Sequence, residues 1–191
     1  MERPLLDRRQ ALRGAAFTFG LVAMGSLSVR AVAQPVLTWT PTALTPDQAR
    51  TLEAVAEQII PATDSPGAKA AGVPAFVDRT LKGWSDPADA DRIKAGLTKL
   101  DADARAANGA AFAALTSPQQ LAILTHYDAE AAAARRQVPP APHFFASLKE
   151  LVTVGYFTSK PGATIALRYD PVPGDYRGCV PLSQIGRAWA T

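Results

Sequence analysis

Cysteine and histidine are nearly absent from this chain, which has one cysteine and two histidines among its 191 residues. A single cysteine forms no disulfide within the chain and cannot hold an iron–sulfur cluster, and the Cys-x-x-Cys-His motif of covalently bound haem is missing. The glycine-rich loops that hold nucleotide phosphates and the Gly-x-Ser-x-Gly and His-Glu-x-x-His motifs are missing too. We therefore expect this chain to carry no cofactor and no catalytic residue.

The candidate metal ligands in this sequence are its two histidines, His126 and His143, together with Asp128 or Glu130. Residues 126 and 128 lie on different faces of a helix. We therefore expect surface or boundary histidines and no metal site.

Two other groups of residues could in principle carry out chemistry. Ser159 or Ser183 beside a histidine would pair a nucleophile with a base, and this alternative stays open although no local pattern supports it. The acidic residues Asp86, Asp89 and Asp91 fall at a predicted helix start, where negative charge complements the helix dipole. We interpret those carboxylates as a solvated helix surface.

Excess charge is also absent from most of the chain. The formal net charge of +3 is carried entirely by residues 1–33, in which five arginines outnumber two acidic residues. Residues 34–191 contain 15 basic and 15 acidic side chains. A neutral chain without a block of lysine or arginine has no field to attract a polyanion, so we expect no nucleic acid partner.

The first 33 residues have the pattern of an export signal. Arg8 and Arg9, followed by Leu12, resemble the twin-arginine translocation motif, although Ala11 stands where phenylalanine is preferred, which leaves export by the general secretory route as an alternative. An uncharged stretch of about 16 residues follows, shorter than the roughly 20 that span a membrane. Retention as a membrane anchor is the competing interpretation.

A cleavage site is predicted at the end of this leader. Ala31 and Ala33 supply the small residues that a signal peptidase requires, so Gln34 is the expected first residue of the mature chain. The twin-arginine route moves folded proteins, which commonly carry a cofactor or travel with a subunit that does. Because no cofactor motif is found here, the leader favours a partner that carries one, and a periplasmic location.

The mature chain has the pattern of an all-α protein. Residues 34–44 are rich in proline and threonine and predict an extended arm, and residues 45–191 predict one compact bundle of five or six helices. Helix-spaced apolar residues, proline joints and capping residues place helices at residues 45–60, 73–84, 86–108, 117–131, 143–157 and 159–167. In the fourth, Leu121, Leu124, Tyr127 and Ala131 are expected to face the core. An irregular tail rich in proline and glycine begins at Arg168.

Two blocks of the mature chain resemble known family signatures. The first spans residues 59–68 (IIPATDSPGA) and 71–78 (AGVPAFVD). The second includes residues 150–159 (ELVTVGYFTS), 161–163 (PGA), 167–174 (LRYDPVPG) and 178–182 (GCVPL). Together they resemble the signatures of the gluconate 2-dehydrogenase subunit 3 family, which implies the small, non-catalytic subunit of a membrane-bound, flavin-dependent sugar or polyol dehydrogenase. The resemblance also implies a large subunit that holds FAD and lacks its own signal, and often a cytochrome c subunit that passes electrons to quinone.

Aromatic residues make up only 7% of the chain, yet five of them fall in its last 36 residues. Aromatics in an irregular tail suit contacts with another protein, although they equally suit packing on the chain's own core. The residues that we assign to a partner contact are Tyr156, Phe157, Arg168, Tyr169, Asp170, Tyr176 and Cys179. Arg168 and Asp170 have the alternative of pairing with each other, and Cys179 has the alternatives of burial, a disulfide between subunits, or a free surface thiol.

We expect the chain to be an accessory subunit that exports and stabilises a flavoprotein. Its membrane association would then be indirect, through the complex. A free-standing periplasmic binding or chaperone-like protein of all-α fold is the alternative, and an independent periplasmic enzyme is a third.

Overall fold

Helices account for most of the residues that the computed structural model describes, namely 36–172, 174–175 and 178–190. Five long helices are followed by a short one: α1 Pro46–Ile59, α2 Val73–Gly83, α3 Pro87–Asn108, α4 Ser117–Arg135, α5 Phe144–Phe157 and α6 Leu182–Ile185. A 3₁₀ turn, Phe112–Ala114, precedes α4, and a π-helical turn, Gly162–Ala166, follows α5. No strand occurs in these described ranges, so the predicted all-α class is confirmed.

Capping residues and prolines fix the helix starts, as the sequence predicts. Thr45 and Gln48 form a reciprocal capping box at α1, and the Asp86 carboxylate accepts the Ala88 backbone N–H at the start of α3. A second capping box, with Thr116 as the cap, begins α4. Ser117 precedes Pro118 and so has the sequence pattern of a cap before a proline start, but it is the first helical residue instead.

Helix α5 lies at the centre of the bundle and contacts each of the other four long helices. Its apolar face is buried through Phe145, Leu148 and Val152. Two glycines allow close approach in this packing. A Cβ at Gly96 would lie 2.1 Å from the Phe144 ring, and one at Gly155 would lie 2.5 Å from the Phe76 ring.

The predicted core face of α4 is correct at Leu124, Tyr127 and Ala131 and wrong at Leu121, whose side chain is 55% exposed. Gln120 is buried in its place. Its amide donates to the carbonyl of Phe112 at 2.9 Å and accepts from Gln58 at 2.9 Å. A buried amide with both ends hydrogen-bonded is tolerated in a core, and sequence periodicity does not predict such a pairing.

Residues 36–44 do not stand away from the bundle, because a buried carboxylate on α2 binds them. Asp78 is 1% exposed and accepts hydrogen bonds from the backbone N–H groups of Thr42, Ala43 and Leu44 and from the Thr42 hydroxyl, at 2.8 to 3.0 Å. Burial raises the pKa of Asp78, but these hydrogen bonds together outweigh it and hold the pKa below its ordinary value. The charged carboxylate thus fixes the end of the arm.

A second buried carboxylate binds the same segment to α1. The indole N–H of Trp39 donates to Glu53 Oε1 at 2.8 Å, and Lys69 Nζ lies 2.7 Å from Glu53 Oε2. Glu53 is 3% exposed, so the lysine supplies the opposite charge that a buried carboxylate needs. The arm is therefore joined to α1 and α2 by charge-assisted hydrogen bonds.

Candidate functional site

Two neighbouring aromatic residues at the end of α5 point in different directions. Tyr156 is 2% exposed, and its hydroxyl donates to the carbonyl oxygen of Pro66 at 2.8 Å and lies 3.2 Å from Ser65 Oγ. Phe157, whose ring centroid is 5.3 Å from that of Tyr156, is 40% exposed. The ring of Tyr156 therefore packs inside this chain, which leaves it no exposed face for the partner contact that the sequence suggests, whereas Phe157 remains available for one.

The loop that Tyr156 contacts, residues 61–72, is also fixed by a carboxylate from α1. Glu57 Oε1 accepts the backbone N–H of Ala62 at 3.2 Å, and Oε2 accepts that of Lys69 at 3.0 Å. Within the loop, the N–H of Thr63 donates to the carbonyl of Ser65 at 3.0 Å. The loop therefore has a defined shape, while residues 61–64 at its tip are exposed.

Gly67 is required by the closeness of Glu57 to this loop. A Cβ built at Gly67 would lie 2.3 Å from Glu57 Oε1 and 2.7 Å from the Ala62 nitrogen, closer than real atoms approach. The sequence identifies this glycine only as part of a family block. Neither Glu57 nor its function in the loop is predicted, because an acidic residue at this helical position looks like ordinary surface.

The chain turns sharply after α5 and packs against the end of that helix. Ser159 Oγ accepts the N–H of Gly162 at 3.1 Å and so caps the start of the last helix that the sequence predicts, at residues 159–167, although the turn that follows is π-helical. A Cβ at Gly162 would lie 1.8 Å from the carbonyl oxygen of Tyr156, so only glycine fits there. Ile165, in this turn, is 42% exposed.

The end of the tail packs back against Arg168, the residue at which the tail begins. A parallel bridge joins Arg168 and Trp189, and the guanidinium lies 4.3 Å from the centroid of the Trp189 ring. Arg168 also donates to the carbonyl of Ile185. Asp170 accepts the N–H of Val172 at 3.1 Å instead of an arginine proton. The suggested pairing of Arg168 with Asp170 is thus replaced, within the described residues, by separate local contacts.

The remaining predicted contact residues are exposed or lie outside the description. Tyr169 is 58% exposed and Cys179 is exposed, so simple burial of that thiol is wrong for this chain as it stands alone. Tyr176 lies outside the described residues. The leader residues Arg8, Arg9, Leu12, Ala31 and Ala33 and the expected first mature residue, Gln34, also lie outside them.

One end of the bundle thus brings together parts of both blocks that resemble the family, and we call it the α5 end face. We define it by the exposed loop tip, residues 61–64, and three half-exposed apolar side chains, Val154, Phe157 and Ile165. Val154 and Phe157 are three residues apart on α5 and so lie on one side of the helix. Sequence periodicity alone does not predict the exposure of Val154 or Ile165.

The two histidines lie near the same carboxylate, that of Glu130, but their geometry fits hydrogen bonding and not metal binding. Both Nε2 atoms face Glu130, at 3.3 Å for His126 and 3.8 Å for His143. His143 Nδ1 accepts the N–H of Phe145 as the cap of α5, which leaves the proton on Nε2, where a metal would bind. Within the described ranges, no group of three or more His, Cys, Asp or Glu could hold a metal ion.

A linked polar cluster next to the histidines connects α3 to α4. The hydroxyl of Tyr127 donates to Asp103 Oδ2 at 2.6 Å, and Lys99 Nζ donates to the same oxygen at 2.7 Å. Burial, together with the hydrogen bond to Asp103, raises the pKa of Tyr127 to about 12. A tyrosine held neutral and facing an ion pair joins two helices and is not poised for proton transfer near neutral pH.

A cleft of about 200 Å³ lies between α1, α4 and α5 and is lined by Gln58, Ile59, Leu121, Leu124, Thr125, Asp128, Phe145 and Lys149. Its polar side chains bind one another or the chain itself. Lys149 donates to Asp128 at 2.7 Å, and the Thr125 hydroxyl donates to the carbonyl of Leu121 at 2.8 Å. The cleft therefore offers a ligand no convergent set of free polar groups.

Comparisons with known proteins agree with the two signature blocks. The sequence model of gluconate 2-dehydrogenase subunit 3 matches residues 46–174, from α1 through α5 into the tail. No curated protein and no solved structure matches the chain. None of the helices in the described ranges is both long and apolar enough to span a membrane. On the family match, the chain belongs to the gluconate 2-dehydrogenase subunit 3 family.

Proposed function

We propose that this chain is a non-catalytic accessory subunit of a periplasmic, FAD-dependent gluconate or sugar dehydrogenase complex. The observation that carries the proposal is the family match over residues 46–174. In the complex, the twin-arginine leader of this chain exports the large flavoprotein subunit, and the helical domain stabilises it. The FAD belongs to the large subunit, and a cytochrome c subunit completes the complex at the inner membrane.

The polar groups inside the bundle support an accessory function. Asp78 and Glu53 bind the arm, Glu57 binds the loop, and Tyr127 joins two helices. Each of these groups is engaged in holding this chain together. Because these polar groups serve the fold, we infer that the chain acts in the complex through its surface.

The exposed residues of the tail supply part of that surface. Phe157 and Tyr169 offer aromatic area with few rotatable bonds, which suits contact with another protein. We propose that Cys179, exposed in this chain, forms a disulfide with the flavoprotein subunit. The oxidising periplasm favours such a bond over a free surface thiol.

The proposal is tested by capturing the mature chain through a C-terminal tag, in mild detergent, from the cells that make it. We expect a 1:1 complex with a yellow, FAD-containing dehydrogenase. The mature chain purified alone should be colourless and should reduce no dye with gluconate, glucose or sorbitol. A flavin spectrum in the isolated chain would contradict the proposal. Loss of the client after export would instead favour the chaperone-like alternative.

A further inference from the structure

We propose that the flavoprotein subunit docks on the α5 end face and covers it with a surface that is apolar at its centre and carries carboxylates at its rim. This inference rests on the proposed function and names the part of the chain that performs it. The occupant follows from the family, whose name denotes the third subunit of a dehydrogenase. Three observations support this face.

The first observation is a loop tip, residues 61–64, that is fixed in shape and yet exposed. Glu57 and Tyr156 hold the loop from two different helices. The side chains of Thr63 and Asp64 bond only to each other, at 3.0 Å, and are exposed. A preformed loop loses little conformational entropy when another molecule binds it, so this rigidity favours recognition.

The second observation is the exposure of large apolar side chains at the end of α5. Val154 and Phe157, on one side of the helix, are 46% and 40% exposed although α5 lies at the centre of the bundle, and Ile165, in the turn that follows, is 42% exposed. Partial exposure of large apolar groups is unfavourable in water and is typical of the centre of a protein interface. Tyr156, beneath Phe157, connects this area to the loop.

The third observation is the pattern of charge. On α3 all four cations form ion pairs with carboxylates of the same helix, such as Lys99 with Asp103 and Arg105 with Asp101. The cations around the end of α5 do not. Lys160 is exposed, Arg168 and Arg187 bind backbone carbonyls of Ile185 and Ile165, and none of the three pairs with a described carboxylate. Carboxylates on the rim of a partner would complement them.

The experiment measures the dissociation constant of the purified flavoprotein subunit for variants of this chain. Val154→Gln and Phe157→Gln remove apolar area from the face. Leu121→Gln is the matched control, because Leu121 is a 55% exposed apolar residue on α4, outside the face. We expect each face variant to bind about tenfold more weakly, as for an apolar anchor at the centre of an interface, and the control to bind like the wild type.

Charge is tested in the same way, with Lys160→Glu against Lys82→Glu on α2, both at exposed positions. We expect weaker binding only for Lys160→Glu, with a loss that shrinks as salt is added. Thermal unfolding of each variant shows whether the fold is kept. Variants that fold and bind normally would overturn the proposed face while leaving the accessory function intact.

Other occupants give different results. A wild-type chain that forms a dimer disrupted by Phe157→Gln would assign the face to a second copy and overturn the proposal. Weaker binding by Leu121→Gln alone would move the interface to the cleft side of α4 and overturn it as well. A wild-type chain that captures no flavoprotein would overturn the proposed function, and the docking proposal with it.

Discussion

The hydroxyl of Tyr156 donates a hydrogen bond to the carbonyl oxygen of Pro66 at 2.8 Å, across 90 residues of sequence. Tyr156 belongs to the second block that resembles the family, and Pro66 belongs to the first. The two blocks therefore meet in space, at one end of the bundle. Several of their residues, such as Gly67 and Gly155, serve to keep this end closely packed.

Tyr156→Phe tests the contribution of that hydrogen bond. The ring keeps its packing, but the carbonyl of Pro66 loses its donor, so we expect the free energy of unfolding to fall by about 1 kcal/mol in urea denaturation. Tyr169→Phe is the control, because its ring is 58% exposed and the described residues give its hydroxyl no hydrogen-bond partner. Equal stability of Tyr156→Phe and the wild type would contradict the assigned bond.

Gly67→Ala tests the close packing of the loop. The added methyl group would lie 2.3 Å from Glu57 Oε1, so the loop or the carboxylate must move, at a cost of about 1 to 3 kcal/mol in unfolding free energy. Gly83→Ala is the matched control at the end of α2. A Cβ added there would meet no neighbouring atom within 4 Å, so this substitution should be neutral or slightly stabilising. A neutral Gly67→Ala would show that the loop is not held as described.

Asp78→Asn tests the attachment of the arm and its dependence on pH. At pH 7 the variant should lose about 2 kcal/mol, because four donors lose their charged acceptor. The folded-state pKa of Asp78 lies below the ordinary 3.8, so the contribution of the charge is present above that value and is lost as the pH falls through the folded-state pKa. Unfolding free energies measured from neutral to acidic pH should therefore converge. A difference between wild type and variant that stays constant into acid would contradict this origin.

Cys179→Ser tests the proposed disulfide between subunits. On a non-reducing gel, with alkylation at lysis, the wild-type chain should migrate together with the flavoprotein, and the variant should migrate alone. The complex of the variant should also separate at a lower temperature, because the covalent link between the subunits is gone. Separate migration of the wild-type subunits would exclude the bond.

Much of the fold is predictable from the sequence because its signals are local. The cap of Thr45, the proline starts and the helical spacing at Leu124, Tyr127 and Ala131 place helices within a few residues of their observed ends. The exposure of Leu121 was missed because Gln120 is buried through partners on two other elements.

The surface was less predictable because its features depend on contacts across the chain. Tyr156 and Phe157 are adjacent aromatic residues of similar size, yet Tyr156 is buried and Phe157 is half exposed. This difference in burial arises because the end of α5 packs against the loop on the side of Tyr156. Glu57 carries no sequence signal at all, since its partners are backbone groups five and twelve residues away.

The most direct test of the account is the location of the flavoprotein in cells whose accessory chain carries Arg8→Lys together with Arg9→Lys. If the leader of this chain exports both subunits, the double variant should leave the flavoprotein and its dehydrogenase activity in the cytoplasm, while the wild type places both in the periplasm. The measurement is immunoblotting and activity in separated fractions, with a periplasmic protein exported by the general secretory route as the control. Normal periplasmic dehydrogenase activity in the double variant would contradict the account.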